Sequence, residues 1–373
     1  MVRKDLQDKT DVFVIGGGPA GLAAALAARR AGFDVMVADS FEPPIDKPCG
    51  EGLMPDGVTA LRELGVVLPA EGAHPFTGIR FCSGDATVAA RFPKGVGYGV
   101  RRTALHELMA AAAERAGVAL NWRTVVAGVT NAGVTVGKNL VRARWIVGAD
   151  GGASRLRKWA GLDEHRKHER RFAFRRHYRI APWTEFMELH WGPDCQLYIT
   201  PVGSEEVCVA LISRDPKLRL DAALPHFPEV LERLRDAEHT SSEQGALSVT
   251  RKLARVCTER IALIGDASGG VDAITGEGLC LAFKQAALLA ESFKAGDLSI
   301  YERGHRAMAR RPAFMAGALL LLEHRQALRR RVMAAFMDDP RIFARLLKMH
   351  VGVETPAGFA ANGLTLGWKL LSV

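Results

Sequence analysis

The first apolar run, Asp11-Val12-Phe13-Val14-Ile15, is short, unbroken and followed at once by glycines, which predicts a buried strand. Pro19 to Ala31 is rich in alanine and leucine and stops at Gly32, which predicts a helix. Phe33 to Ala38 is a second buried strand, and the three pieces make one βαβ unit of about 30 residues with parallel strands. Thr103 to Ala116 predicts another helix ending at Gly117, and Trp145-Ile146-Val147 another buried strand. Elsewhere the pattern alternates. Phe76 to Tyr98 does so in short stretches (Ile79-Arg80-Phe81, then Val88 to Phe92). Arg171 to Ile180 places Phe172, Phe174, Arg176 and Tyr178 on one face and Arg171, Ala173, Arg175 and His177 on the other. Strand patterns follow at Phe186 to Trp191, Gln196 to Thr200 and Val207 to Ile212, and together they predict antiparallel sheet. Ile261 to Ile264 returns to buried-strand character. Glu277 to Lys294 predicts a long helix, and the chain from about 300 onward reads as helical and basic. Residues 41–57, rich in Pro and Gly, predict a long loop of the kind that carries function.

Gly16-Gly17-Gly18-Pro19-Ala20-Gly21 closes the first strand and opens the first helix in the G-x-G-x-x-G pattern. Gly16 permits a tight turn, Gly18 lets backbone approach a pyrophosphate, and Gly21 lets the helix pack on the strand. The helix opening, with Pro19 and Ala20, offers free N–H groups and the positive end of a dipole to phosphates. Asp39, followed by Ser40, ends the second strand near the spacing of about 20 residues at which a carboxylate binds ribose hydroxyls. The predicted fold class is therefore α/β: a Rossmann-type, three-layer dinucleotide-binding domain with a parallel sheet, interrupted by an inserted antiparallel β-sheet substrate domain and followed by a helical C-terminus. The pieces fall at 8–75, 100–165 and 255–300 for the nucleotide domain, 76–99 and 166–254 for the substrate domain, and 301–373 for the helical region. The glycine motif leaves FAD and NAD equally open.

Composition narrows the class. The 373 residues are 48% apolar, enough for one large or two intertwined domains. The six cysteines are scattered and form no C-x-x-C, which argues against a disulfide framework or structural zinc, so no metal is expected. The polar leader Met1 to Thr10 lacks a secretory apolar core, and with the cysteine usage it gives a cytoplasmic expectation. The apolar run Ala313 to Leu322 falls short of the roughly 18–20 residues a spanning helix needs. The net charge of +9 gathers at His165 to His168, at Arg306, Arg310 and Arg311, and at Arg329 to Arg331. No aromatic-basic platform or helix-turn-helix accompanies it, so nucleic acid is not an expected partner; a solvated face is the first reading of these clusters and attraction of an anionic cofactor or substrate the second. The C-terminal helices are expected to pack against the nucleotide domain. The alternative is peripheral contact with the inner face of a membrane.

Two further motifs favour FAD. Ala149-Asp150-Gly151-Gly152-Ala153-Ser154-Arg155 follows the Trp145 strand. Gly265-Asp266-Ala267 follows the Ile261 strand and leads to Thr275-Gly276-Glu277-Gly278-Leu279 at a helix start. With these in order, the chain over about residues 10–300 resembles the flavoprotein superfamily of aromatic hydroxylases and geranylgeranyl reductases. The resemblance implies that Asp266, after Gly265, accepts from ribityl hydroxyls. It implies that Gly276, Gly278 and Leu279 address the N1/C2=O edge of the flavin, where a helix N-terminus stabilises negative charge. It further implies that Asp150 and Gly151 couple the pyrophosphate region to pyridine-nucleotide use, that Arg102 contacts the flavin with Arg101 as substitute, and that Val126 packs by the adenine.

Lys47-Pro48-Cys49-Gly50-Glu51-Gly52 resembles the K-x-C-G loop of the reductase branch. This places Cys49 and Gly50 near the reacting face, with Glu51 as proton donor or salt-bridge partner. Leu197-Tyr198-Ile199-Thr200-Pro201 falls where reductases carry Y-x-W-x-F-P. Tyr198 and Pro201 match, while the Trp and Phe do not. No W-x-W of the halogenases is present. His177, Tyr178, His190 and Trp191 are further candidates for the face over the flavin. The sequence therefore places first a monooxygenase acting on an aromatic or polyketide-like molecule through a C4a-hydroperoxyflavin. Second stands a reductase transferring hydride from flavin N5 to a carbon–carbon double bond of a prenyl or lipid-like substrate, with Cys49, Glu51 or Tyr198 serving the proton. A non-catalytic dinucleotide-binding protein is the third reading, which bound flavin absorbance would separate. With no second glycine motif, NAD(P)H is expected as a transient donor.

Overall fold

Val12 to Ile15 are buried because parallel partners flank the first strand, Lys9–Ile15. Val35–Ala38 lies on one side and Asn139–Gly148 on the other. A computed structural model describes residues 8–354. The leader residues 1–7 and the part of the anticipated helical region at 355–373 lie outside the described residues, as do the side chains of 166–168 in the basic run. The strand Asn139–Gly148 shows how pattern follows environment. It alternates over its first half, beside antiparallel Gly133–Val136, and is continuously buried from Trp145, where it lies between Lys9–Ile15 and Ile261–Leu263.

The helices Pro19–Arg30, Arg102–Arg115 and Gly278–Ala295 cover one face of this seven-stranded sheet, with Leu22, Met109, Phe283 and Leu289 in a shared core. The hairpin Val126–Val136 and the short helix Arg155–Trp159 enclose the core around Phe13, Ile146 and Leu156 on the other. The first helix begins at Pro19 because proline lacks the N–H that would be unpaired there. The third ends at Gly296, whose φ of 70° few other residues adopt without strain.

The second sheet has eight strands: Gly78–Ser83, Ala86–Arg91, His165–Arg179, Phe186–Trp191, Cys195–Gly203, Glu206–Ser213, Glu238–His239 and Gln244–Leu253. The pattern predicts it wholly antiparallel. One pairing is parallel, running from Phe186 opposite Gly78 to His190 opposite Cys82. The hairpin Gly78–Arg91 enters from a separate excursion of the chain, so no tight turn dictates its direction. A small sheet of Gly52–Leu53, Ala73–Phe76 and Gly97–Val100 joins the two, so the long loop predicted for 41–57 is shorter than anticipated and runs into the helix Pro55–Glu63.

The C-terminal helices differ from expectation. Leu298–His324 packs on Gly278–Ala295 at its start. Then, with Gln326–Asp338 and Pro340–His350, it covers the strands Gly78–Arg91 of the second sheet. The apolar stripe of Ile342, Phe343 and Leu347 meets Phe81, Val88 and Ala90 there, with the Phe81 and Phe343 rings 4.8 Å apart. That face had no other cover, which the sequence pattern of the helices alone does not reveal. No helix among the described residues is long and apolar enough to cross a membrane.

Arg171 ties these layers together. Fully buried, it pairs through Nε with Asp272 at 3.0 Å and through Nη2 with Glu323 on the long C-terminal helix, and its Nη1 donates to Gln196 Oε1 at 3.3 Å. Replacing Arg171 by Met strands two buried carboxylates, an expected loss of about 3–5 kcal/mol in urea unfolding. Breaking the exposed Arg235–Glu232 pair by Arg235→Met is expected to change stability by less than about 1 kcal/mol.

Candidate functional site

The glycine turn separates two jobs. A Cβ on Gly21 would lie 1.9 Å from the carbonyl oxygen of Gly16, so that position is closed by helix-on-strand packing. Gly18 has nothing within 4 Å of such an atom and faces open space. The helix that follows has no side-chain cap, and its first backbone bond runs from Leu22 N–H to Gly18 O, so earlier N–H groups point outward. The same holds at the helix Gly278–Ala295. It too lacks a side-chain cap, its first bond runs from Leu281 N–H to Glu277 O, and Gly278 faces open space. The two helices pack against each other, and a Cβ on Gly265 would stand 2.6 Å from Ala20 Cβ, which sets the Gly265-Asp266 turn directly on the first helix opening.

Side chains collect along this line. Asp39 accepts from Gly17 N–H at 2.6 Å and Phe41 N–H at 2.8 Å, and Ser40 beside it is exposed. The Trp122 ring lies against Gly17. Val126 is buried at the start of its strand. Lys47 reaches Asp266 at 2.5 Å, and its charge, with that of Arg102, holds the Asp266 carboxyl below its usual range against the opposing effect of burial. Arg102 has a buried Nε without a hydrogen-bond partner among the described residues, and Arg101 is held by Glu206 at 2.9 Å and donates to Thr240 at 3.2 Å. Asp150 does different work. It accepts from Ser154 Oγ at 2.5 Å and from the N–H groups of Arg155 and Leu156, closing the Gly151 turn onto a short helix.

The Cys49 loop sits on a buried charge cluster. Glu51, at a positive φ of 58°, accepts Arg102 N–H at 2.9 Å, Arg175 Nη1 at 3.3 Å and His177 Nε2 at 2.6 Å. Arg175 also clasps Asp46 at 2.8 and 2.9 Å, and Ser241 holds the far side of His177 at 2.8 Å. Glu51 is thus a salt-bridge partner, with both carboxylate oxygens engaged. Burial pushes the Cys49 thiol up, outweighing the nearby Arg102 and Arg175 charges, so it is a protonated thiol at neutral pH.

Thr200 fastens Gly50 from above through a 2.7 Å bond to its carbonyl, and Gly50 faces open space. Tyr198, on the same sheet face, donates to Ile274 O at 2.7 Å, and burial raises its phenol well above the usual value. It borders a partly open apolar cleft lined also by Phe81, Met187, Leu319, Phe343 and His350 and by Thr275, just before the second helix opening.

Of the predicted residues, Asp39 is tied to the first glycine turn, Gly265-Asp266 sits on the first helix opening, Arg102 is tied to the Cys49 loop through Glu51, and Tyr198 borders the cleft. The other aromatic and histidine candidates separate. Tyr178 packs on the opposite face of the sheet with Phe174 and Leu197. Trp191 joins Phe81 beneath the C-terminal helices, and His177 lies under Glu51. Sequence reasoning missed Trp122, Lys47, Arg175 and Asp46 as members of the site. Lys47 was visible in the K-x-C-G loop, and Trp122 as a lone aromatic after the strand Ala119–Asn121.

The structure agrees with relatives. Residues 9–296 match the FAD binding domain family model. The chain is 30% identical over 327 residues to menaquinone reductase of Mycobacterium tuberculosis, covering 79% of each chain. It is 27% identical over 319 residues to digeranylgeranylglycerophospholipid reductase 2 of Methanosphaera stadtmanae, covering 78% of this chain and 80% of that one. A flavoprotein/dehydrogenase from Cytophaga hutchinsonii superposes with a TM-score of 0.80 at 20% identity, covering 92% of this chain and 93% of that one. The chain belongs to the FAD binding domain family and is an FAD-dependent oxidoreductase of that family. The open glycines, the two uncapped helix openings and the unpaired Arg102 Nε fit such a cofactor.

His190 faces away from this line, bonded to Glu188 at 3.0 Å. Burial opposes its protonation, but hydrogen bonds with Cys82 and Glu188 push it up to about 9 from an ordinary 6.5. A raised folded-state value stabilises the protein fully below about pH 6.5, and that contribution disappears as pH rises through about 9. Unfolding stability is expected to fall by about 2–4 kcal/mol across that window, and His190→Gln is expected to flatten the slope.

Proposed function

We propose that this chain holds FAD in the line from Asp39 to Gly278 and reduces a carbon–carbon double bond of a lipid-like substrate lying in the apolar cleft. The observation that carries the reading is the position of that cleft. Its walls are apolar side chains of the second sheet and C-terminal helices, and Thr275, beside the helix opening assigned to the flavin, lines it too. The two relatives described above, both named reductases, support it. When bound, FAD supplies two-electron redox chemistry.

The protein's own residues divide the work. Gly16 and Gly21 build the turn, and Gly18, with the N–H groups after Pro19, meets the pyrophosphate. Asp39 and Trp122 hold the adenosine end beside Ser40 and Val126, and Asp150 with Gly151 shapes the turn nearby. Lys47 and Asp266, on Gly265, address the ribityl chain. Arg102 addresses the ring edge, and the N–H groups of Gly278 and Leu279, after Gly276, its pyrimidine side. Gly50 lets the Cys49 loop approach the flat ring, and Cys49 carries a proton for the product. Tyr198 keeps its own proton and fixes the Ile274 turn. NAD(P)H, or another reductant, visits transiently.

Hydroxylation is the second reading. The absence of the Trp and Phe of Y-x-W-x-F-P from Tyr198-Ile199-Thr200-Pro201 favours it. Oxygen separates the two. With reduced cofactor and a prenyl lipid, turnover is expected without oxygen, and product that requires oxygen would reverse the order of the readings. Purified protein is expected to be yellow. Gly18→Val should keep the fold, since nothing crowds that position, yet lose FAD by at least about tenfold in affinity. Retention of FAD by this variant at wild-type affinity would remove the pyrophosphate assignment. Cys49→Ala is expected to retain FAD while slowing reduction by about 10²-fold or more, measured as single-turnover oxidation of the reduced flavin.

A further inference from the structure

The apolar cleft has one histidine in its wall, and that histidine is linked to the cofactor helix. His350, the last residue of the helix Pro340–His350, is only 6% exposed. Its Nδ1 faces Glu277 Oε2 at 3.7 Å, too far for a hydrogen bond, and neither atom has a hydrogen-bond partner among the described residues. Glu277 is equally buried and stands immediately before the helix opening at Gly278. Its other oxygen accepts Arg311 Nη2 at 2.8 Å. Arg311 lies 3.7 Å from Asp56, which Lys284 holds at 2.6 Å. Glu277 is thus fixed from behind, while its free oxygen points at the imidazole.

Buried polar atoms are almost always bonded, so an unbonded one facing a cleft calls for a partner there. A carboxylate behind an imidazole sets which ring nitrogen carries the proton and how the ring is turned, and such contacts tighten when a ligand arrives. All the other cleft residues named above are apolar except Tyr198, whose hydroxyl is already given to Ile274, and Thr275, which donates to Asp272 O at 3.2 Å. His350 is therefore the side chain available to a polar group on an otherwise apolar ligand.

We propose that His350, oriented by Glu277, is a positioning residue that hydrogen-bonds the oxygen function of an apolar substrate, such as a hydroxyl on a prenyl chain, and so sets which double bond lies beside the cofactor. This rests on the lipid-substrate reading of the cleft.

The experiment compares farnesol, an apolar chain with one hydroxyl, with farnesene, which lacks it. Equilibrium binding is measured on the flavin-loaded protein and on His350→Leu and His350→Gln. Wild type is expected to prefer farnesol by about tenfold, the increment of one buried hydrogen bond. His350→Leu should lose that preference while its farnesene affinity stays within about twofold, and His350→Gln should retain part of it. If His350→Leu does not fold, His350→Gln decides: a reduced preference supports the role and an unchanged one overturns it. Equal binding of both probes by wild type, or a preference that survives in His350→Leu, overturns the proposal and leaves the lipid cleft standing. Failure of wild type to bind either probe removes the lipid cleft itself, and this role with it.

Discussion

Two buried arginines on one strand carry the arrangement. Arg171 and Arg175 lie four residues apart on the same face of His165–Arg179, and each neutralises a carboxylate from a different loop. Arg175 takes Glu51 from the Cys49 loop, and Arg171 takes Asp272 from the turn that leads to Gly278. A buried carboxylate without a partner is costly, so neither loop can leave its arginine without exposing that cost. The two segments that bracket the proposed ring position are therefore referenced to one rigid strand of the second sheet rather than to the sheet that bears the glycine turn.

The same sheet changes character along its length. Toward Gln244–Leu253 its inner face carries the buried, ion-paired Arg171 and Arg175, and toward Gly78–Arg91 it is apolar and covered by the C-terminal helices. The proposed cofactor line meets the sheet between these regions. The polar part supplies rigidity, and the apolar part supplies a cleft that an amphiphilic molecule can share with the helices. Around Cys49 and Tyr198 burial keeps protons on the thiol and phenol, so neither presents an anionic nucleophile.

The sequence by itself determined the nucleotide half. Strand, glycine turn, helix and acid are local, and their periodicities and glycine positions follow from steric limits that operate within about 30 residues. For the same reason Gly265-Asp266 and the helix after Gly276 were legible as a second turn-and-helix opening, and the alternation of Arg171 to Tyr178 already separated the two sheet faces.

Tertiary structure decided what lies across those faces. Alternation says that Arg175 and His177 share a side, but not that Glu51, 124 residues from Arg175, lies buried against them. Nor does it say that the C-terminal helices cover the second sheet, or that Glu277 and His350 meet. These pairings join segments far apart in the chain, and their energy comes from desolvated charge and apolar area that exist only once both partners are in place. No local pattern encodes such a partner, whereas a glycine turn carries its own reason in its backbone.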